Sequence, residues 1–213
     1  MKGGFKPPSR SNSAFACVGN KFFIYGGTGK GKVLDEFLMF DAESKIWTKL
    51  DHCKGDLPGP RTCSSLVAMD NKLYLYGGGL WSSEEQKWTN KYNDISCFDI
   101  ERQEWKKIEA KGQHPIMSTS AALFSIGRCV YVYGGGHSND TIVCGDMFIF
   151  DTVTNTWDKV NPKNKSSINQ RGRDCTTATP FNNEVYFYGG NYSFTYGNEQ
   201  DFFVVRANYS YYQ

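Results

Sequence analysis

Few of the residues able to do chemistry in this sequence are spaced for it. There are three histidines, His52, His114 and His137, with Cys53 beside the first. Imidazole and thiolate together suit a divalent metal, but these histidines fall in loops of different repeats. None of the seven cysteines forms a Cys-x-x-Cys pair, so zinc-ribbon and dithiol-redox chemistry find no motif. Gly26–Lys32 reads GGTGKGK and fits the first half of a phosphate-binding loop. That loop then needs Ser or Thr for magnesium and a helix whose N-terminus holds phosphate. Here Val33 follows, and the next element is an apolar, strand-like run at Glu36–Phe40. The match is a by-product of a Gly-Lys loop. What remains in register is charge. Arg10, Arg61 and Arg173 each stand sixteen residues ahead of a paired glycine, with Ser118 in the third place, and Glu36, Asp94, Asp146 and Asp201 follow the glycines. Arginine kept in register with an acid predicts ion pairs that anchor loops.

The elements that position these groups repeat. FFIYGG at Phe22–Gly27, LYLYGG at Leu73–Gly78, VYVYGG at Val130–Gly135 and VYFYGG at Val185–Gly190 are one unit, with steps of 51, 57 and 55 residues. Unbroken aromatic and β-branched runs predict strands covered on both faces. The glycines that stop them permit a turn or a close backbone approach. Eleven residues after each acid stands an aromatic: Trp47, Trp105, Trp157 and Tyr212. Four copies with fixed internal spacing make a repeat architecture.

These parts, read in the second copy as PRTCSS, LYLYGG, YNDISCFD and ERQEW, resemble the kelch repeat over nearly the whole chain. The resemblance implies an all-β, kelch-type β-propeller with one four-stranded blade per repeat, and a protein-binding role. Four blades are visible, at 13–50, 64–108, 118–160 and 175–213 of a single domain. The last stops at Gln213 with no room for its fourth strand, which predicts an incomplete ring. A second possibility is that Met1–Lys6 closes a compact four-blade ring, although Gly3, Gly4 and two lysines make a poor strand.

Composition narrows the function. Net charge is +2 with Lys and Arg dispersed, so no electrostatic footprint for nucleic acid exists. No apolar run reaches the length of a membrane helix. The only apolar stretch near the N-terminus, Ala14–Val18, is too short for a signal peptide. An odd number of cysteines, several inside strands, fits a reducing, cytoplasmic setting. The four glycosylation sequons, at Asn139, Asn164, Asn191 and Asn208, read as chance matches in an Asn-rich chain.

Binding is therefore expected on the loops after the paired glycines, where long variable connections carry function. Candidate contact residues are Lys30, Trp81, Trp88, His137, Tyr192, Phe194 and Tyr196. The resemblance adds Asn12, Cys63, Ser120 and Cys175, two places past the repeated arginine position, at the mouth of the central channel. The expected function is a non-catalytic module that binds a protein partner on this rim, with no cofactor. The alternative is a metal-dependent or small-molecule enzyme on the same scaffold. Family enzymes that bind copper or iron use ligand sets not visible here. Lys49, Lys107 and Lys159 are expected to guard outer strand edges against pairing. Trp47, Trp105 and Trp157 are expected to be buried at blade junctions. The open first and last blades predict self-association.

Overall fold

A computed structural model describes residues 5–137, 143–160, 172–182, 184–191 and 202–206. The described residues form strands and turns without a helix. Their contacts divide the chain into two compact units, Met1–Ala110 and Lys111–Gln213, each holding two of the repeats.

In the first unit, blade one runs Ala14–Val18, Lys21–Tyr25, Phe37–Asp41 and Ile46–Lys49 as a four-stranded antiparallel sheet. Blade two places Ser65–Met69, Lys72–Tyr76, Ile95–Asp99 and Glu104–Lys107 in the same order. The two-residue turns that join the first strand pairs start at Gly19 and Asp70, both at positive φ (57° and 51°), as tight hairpins require.

Alternation turns Ala14, Ala16, Phe23, Tyr25 and Phe37 of blade one toward Leu66, Leu73, Leu75, Phe98 and Trp105 of blade two. The alanines let the inner strands approach, and the rings fill the wider gap outside them. Phe37 meets Phe98 and Trp105 edge-on, with ring centroids 4.8 and 5.2 Å apart.

The second unit repeats the plan. Ala122–Ile126, Cys129–Tyr133, Met147–Asp151 and Thr156–Lys159 form blade three. Thr177–Phe181, Glu184–Tyr188 and Phe202–Arg206 form a three-stranded sheet in blade four. The core between them is Ala122, Phe124, Tyr133 and Met147 against Val185 and Phe187.

Two expectations need correcting. The outer strands of blades two and three are not sheet edges guarded by lysine. Lys54–Gly55 adds in parallel outside Glu104–Lys107, and Lys111–Gly112 does the same outside Thr156–Lys159. Both glycines have positive φ (81° and 83°). A Cβ there would lie 2.0 Å from the Trp105 carbonyl oxygen and 2.2 Å from that of Trp157, so only glycine fits. The lysines themselves are occupied in part: Lys49 pairs with Asp51 at 3.1 Å and Lys159 with Asp146 at 2.7 Å.

Trp47 is also not buried like its counterparts. Trp105 and Trp157 are 1% and 0% exposed, whereas Trp47 is only half-buried and its neighbour Ile46 is exposed. Trp105 is covered by Tyr25 and Phe37 of the preceding blade. Among the described residues of the first unit, no blade covers the corresponding face of blade one.

Candidate functional site: a rim of hairpins and left-handed residues

The rims of blades one, two and four are held by the repeated arginine. Arg61 is buried, donates to the Gly77 carbonyl at 3.0 Å, and grips Asp94 with two nitrogens at 2.9 and 3.3 Å. Its guanidinium also lies 4.5 Å over the Tyr92 ring. Arg10 repeats this on the Gly26 carbonyl and Glu36, at 3.3 and 2.5 Å. Arg173 reaches the Gly189 carbonyl at 3.1 Å, while Asp201 lies outside the described residues. In blade three, where Ser118 replaces arginine, Lys159 arrives from the outer strand to meet Asp146. The arginines are anchors, as their register predicts. Tyr25 completes the first unit's rim by donating to the Pro58 carbonyl. Burial raises its phenol above the ordinary range, so it stays a donor.

On this frame sit four residues in one strained conformation. Asn12, Cys63, Ser120 and Cys175 have φ of 55°, 56°, 56° and 53°. Each costs about 1 kcal/mol in a side-chain-bearing residue. Within each unit they are tied in pairs: the Cys63 amide donates to the Asn12 carbonyl at 3.0 Å, and the Cys175 amide to the Ser120 carbonyl at 2.9 Å. Asn12 and Cys175 are exposed, and Cys63 and Ser120 are half-buried. Repeated positive φ at matching places is a constraint on the backbone that residue type alone did not reveal, since only asparagine among the four favours it.

The connections after Gly27 and Gly78 are hairpins rather than irregular loops. Thr28–Gly29 pairs with Lys32–Val33 across Lys30 and Gly31, both at positive φ. This is the segment that imitates a phosphate-binding loop, and it leads into a strand, not a helix. In blade two, Gly79–Ser82 pairs with Lys87–Lys91, and Trp81 lies opposite Trp88 with ring centroids 5.4 Å apart, edge to face. Lys91 caps the Trp88 ring at 5.2 Å. The two hairpins are neighbours, linked through Thr28 and Thr62 hydroxyls at 3.0 Å and by contact between Lys32–Val33 and Gly79–Ser82. Lys30 is exposed at one tip, and the tryptophans are half-buried against each other.

In blade three Gly136 bridges to Val143 after the glycines, and Gly136–His137 also pairs with Met117–Thr119 ahead of the inner strand, as Thr28 and Gly79 bridge to Ser11 and Thr62. Tyr192, Phe194 and Tyr196 lie outside the described residues. His52 and His114 are exposed, and among the described residues no group of three or more His, Cys, Asp and Glu is gathered for a metal. All seven cysteines are free thiols. Burial pushes the Cys129 thiol up to about 11, the response of a packed side chain rather than a nucleophile. No helix among the described residues is long and apolar enough to cross a membrane.

One rim residue escaped the sequence reading. Asp174 stands where the other repeats have Ser11, Thr62 and Thr119. It is 5% exposed, and its Oδ1 has no hydrogen-bond partner among the described residues. Burial raises its carboxyl above the usual range, although bonding to Asn191 offsets part of this. The signal was a carboxylate in a column of hydroxyls.

Stacked antiparallel blades with paired-glycine exits and arginine-locked rims define a kelch-type β-propeller. The chain belongs to the KLHDC2/KLHL20/DRC7 Kelch-repeats domain family, whose sequence pattern matches residues 2–190. Kelch domain-containing protein 3 of Rattus norvegicus is 26% identical over 202 residues, covering 89% of this chain and 50% of that protein. Acyl-CoA-binding domain-containing protein 4 of Arabidopsis thaliana is 25% identical over 167 residues, covering 74% and 24%. The N-(sulfonatooxy)prop-2-enimidothioate sulfolyase of Thlaspi arvense is 28% identical over 147 residues, covering 68% and 39%. The chain thus spans half or less of these relatives' lengths. The solved structure of YjhT shares the fold, with a TM-score of 0.75 at 17% identity, over 95% of this chain and 63% of that one.

Proposed function

We propose that this chain is a non-catalytic interaction module that binds a protein partner on the rim carrying the hairpins after the paired glycines. The observation that carries this reading is the pair of adjacent hairpins in the first unit. They raise Lys30 and the Trp81–Trp88 pair above a frame fixed by Arg10–Glu36 and Arg61–Asp94. Half-exposed tryptophans on a rigid platform are the residues that dominate protein interfaces, because they bury much area at little entropic cost. Asn12 and Cys63 extend this rim as secondary contacts, and Ser120, Cys175 and His137 take the equivalent places on the second unit's own rim. The setting proposed is cytoplasmic.

The test is affinity capture with the whole chain, compared across variants. Trp88→Ala and Lys30→Glu should each weaken capture of the partner at least about 10-fold, the effect of losing roughly 1.4 kcal/mol. Lys106→Glu, on the outer strand of blade two, should leave capture unchanged. Undiminished capture by both rim variants would place the binding surface elsewhere. A catalytic reading has one point in its favour, the relative named as a sulfolyase. Metal content lost in a His114→Ala, His137→Ala double variant would favour it.

A further inference from the structure

Blade one has two apolar faces, and only one is used within its unit. The face toward blade two is the core already described. The other carries Phe15, Phe22, Phe40 and Trp47, one from each strand. Their rings form a ladder across the sheet, with successive centroids 5.9, 6.2 and 4.9 Å apart. Phe15 is 54% exposed, and the other three are half-buried. A contiguous aromatic patch of this kind marks an interaction surface.

Blade two shows what such a face is for. The residues at the same register are Leu66, Leu73, Phe98 and Trp105, all buried because they press on blade one. The surface receiving them is also known: small residues on an inner strand, Ala14 and Ala16, beside rings on the second strand, Phe23 and Tyr25. A partner for the bare face of blade one therefore needs an inner strand of small side chains flanked by aromatic rings.

Blade four carries that surface. Its Ala178, Val185 and Phe187 face blade three. Alternation leaves Thr177, Thr179 and Phe181 on the other side of its inner strand and Tyr186 and Tyr188 on the second. These are the register positions of Ala14, Ala16, Val18, Phe23 and Tyr25. Phe181 and Tyr188 are 63% and 57% exposed, and both threonines are exposed. We propose that the bare face of blade one docks on the bare face of blade four in a second copy of this chain. The contact would reproduce between molecules the junction that blades one and two make within one. The occupant is a second copy because each chain presents both halves of this junction. Such a contact is heterologous, so it propagates head to tail into closed rings or open filaments according to its rotation.

Sedimentation velocity of the 213-residue chain across the micromolar range tests this. The parent should assemble with concentration. Phe22→Lys on blade one and Tyr188→Glu on blade four should each sediment as monomers, since each removes one half of the junction. Mixed in equal amounts, the two variants should form a dimer and nothing larger, because one intact face of each kind remains. Circular dichroism confirms folding, with Phe15→Lys and Thr179→Glu as replacements for a variant that does not fold. A parent that stays monomeric throughout, a folded variant that still assembles, or a mixture that fails to pair would each overturn the proposal. The first result would mean that blade one's face is satisfied within its own chain.

Discussion

Trp47 and Trp105 occupy one place in the repeat and meet different fates. Each lies eleven residues past its acid and opposite a phenylalanine on the adjacent strand, Phe40 and Phe98, with ring centroids 4.9 and 5.0 Å apart. The local sequence makes the same strand pair twice. Burial differs because Trp105 has the rings of another blade against it, whereas among the described residues Trp47 has only Phe40 of its own sheet. In a stacked repeat the residue supplies the knob, and the neighbouring unit decides how much free energy it contributes.

Denaturation of the whole chain should break this comparison if it is wrong. Trp105→Ala should lose about 3–5 kcal/mol, the cost of a large cavity in a packed core. Trp47→Ala should lose about 1 kcal/mol or less, as expected of a side chain with part of its surface already in water. Equal losses in urea titrations at dilute protein would mean that Trp47 is covered in solution. A loss at Trp47 that grows with protein concentration would point to the second copy as its cover.

Another difference between these blades is the added strand. Gly55→Ala should cost about 2–3 kcal/mol, since the new methyl collides with backbone at a positive φ. Gly31→Ala, also at positive φ but with nothing within 4 Å of its Cβ, should cost only about 1 kcal/mol. Thermal melts of the two variants separate the collision from the conformational penalty. Similar losses would show that Lys54–Gly55 does not seal blade two.

The smallest effect concerns Thr62 and Asp174, which share a repeat position. Thr62 meets the Thr28 hydroxyl, whereas Asp174 buries a carboxylate oxygen, Oδ1, without a partner among the described residues. A carboxyl whose folded pKa is raised stabilises the fold only when protonated. That contribution is complete below the unfolded carboxyl value and is lost as pH rises through the folded one. Asp174→Thr should therefore be more stable than the parent near neutrality, by about 1 kcal/mol. The advantage should shrink and then vanish as pH falls below the normal carboxyl range. Stability profiles of parent and variant that run parallel across this range would show that Asp174 finds a donor.

The repeats, the order of strands and the arginine anchors were legible because each rests on residue types that cannot be exchanged freely. Paired glycines must turn the chain, and a buried guanidinium must have an acid and a carbonyl. The hairpins after Gly27 and Gly78 were not legible, because Lys30-Gly31 and the Ser83–Gln86 turn look like ordinary loop composition until their flanks are seen to pair. The added strands left a faint mark, Lys54-Gly55 and Lys111-Gly112 standing at matching distances before Arg61 and Ser118. Two residues have no periodicity, so nothing in a hydrophobic pattern could find them. The half-exposure of Trp47 was illegible for a different reason: burial belongs to a pair of blades, and the pattern of one blade does not contain it.

Lys54–Gly55 has a consequence for the order in which blade two can be made. Its partner strand lies far along the chain, and the bond from the Lys107 amide to the Asp56 carboxylate spans 51 residues. During synthesis the outermost strand of the blade leaves the ribosome first and waits for the four strands it will flank. Contacts of this separation close slowly, so blade two stays unlatched until its whole repeat has emerged. The same delay recurs at blade three, where Lys111–Gly112 waits for Thr156–Trp157. A nascent chain stalled between these points would hold a completed first blade with an unmated strap beyond it.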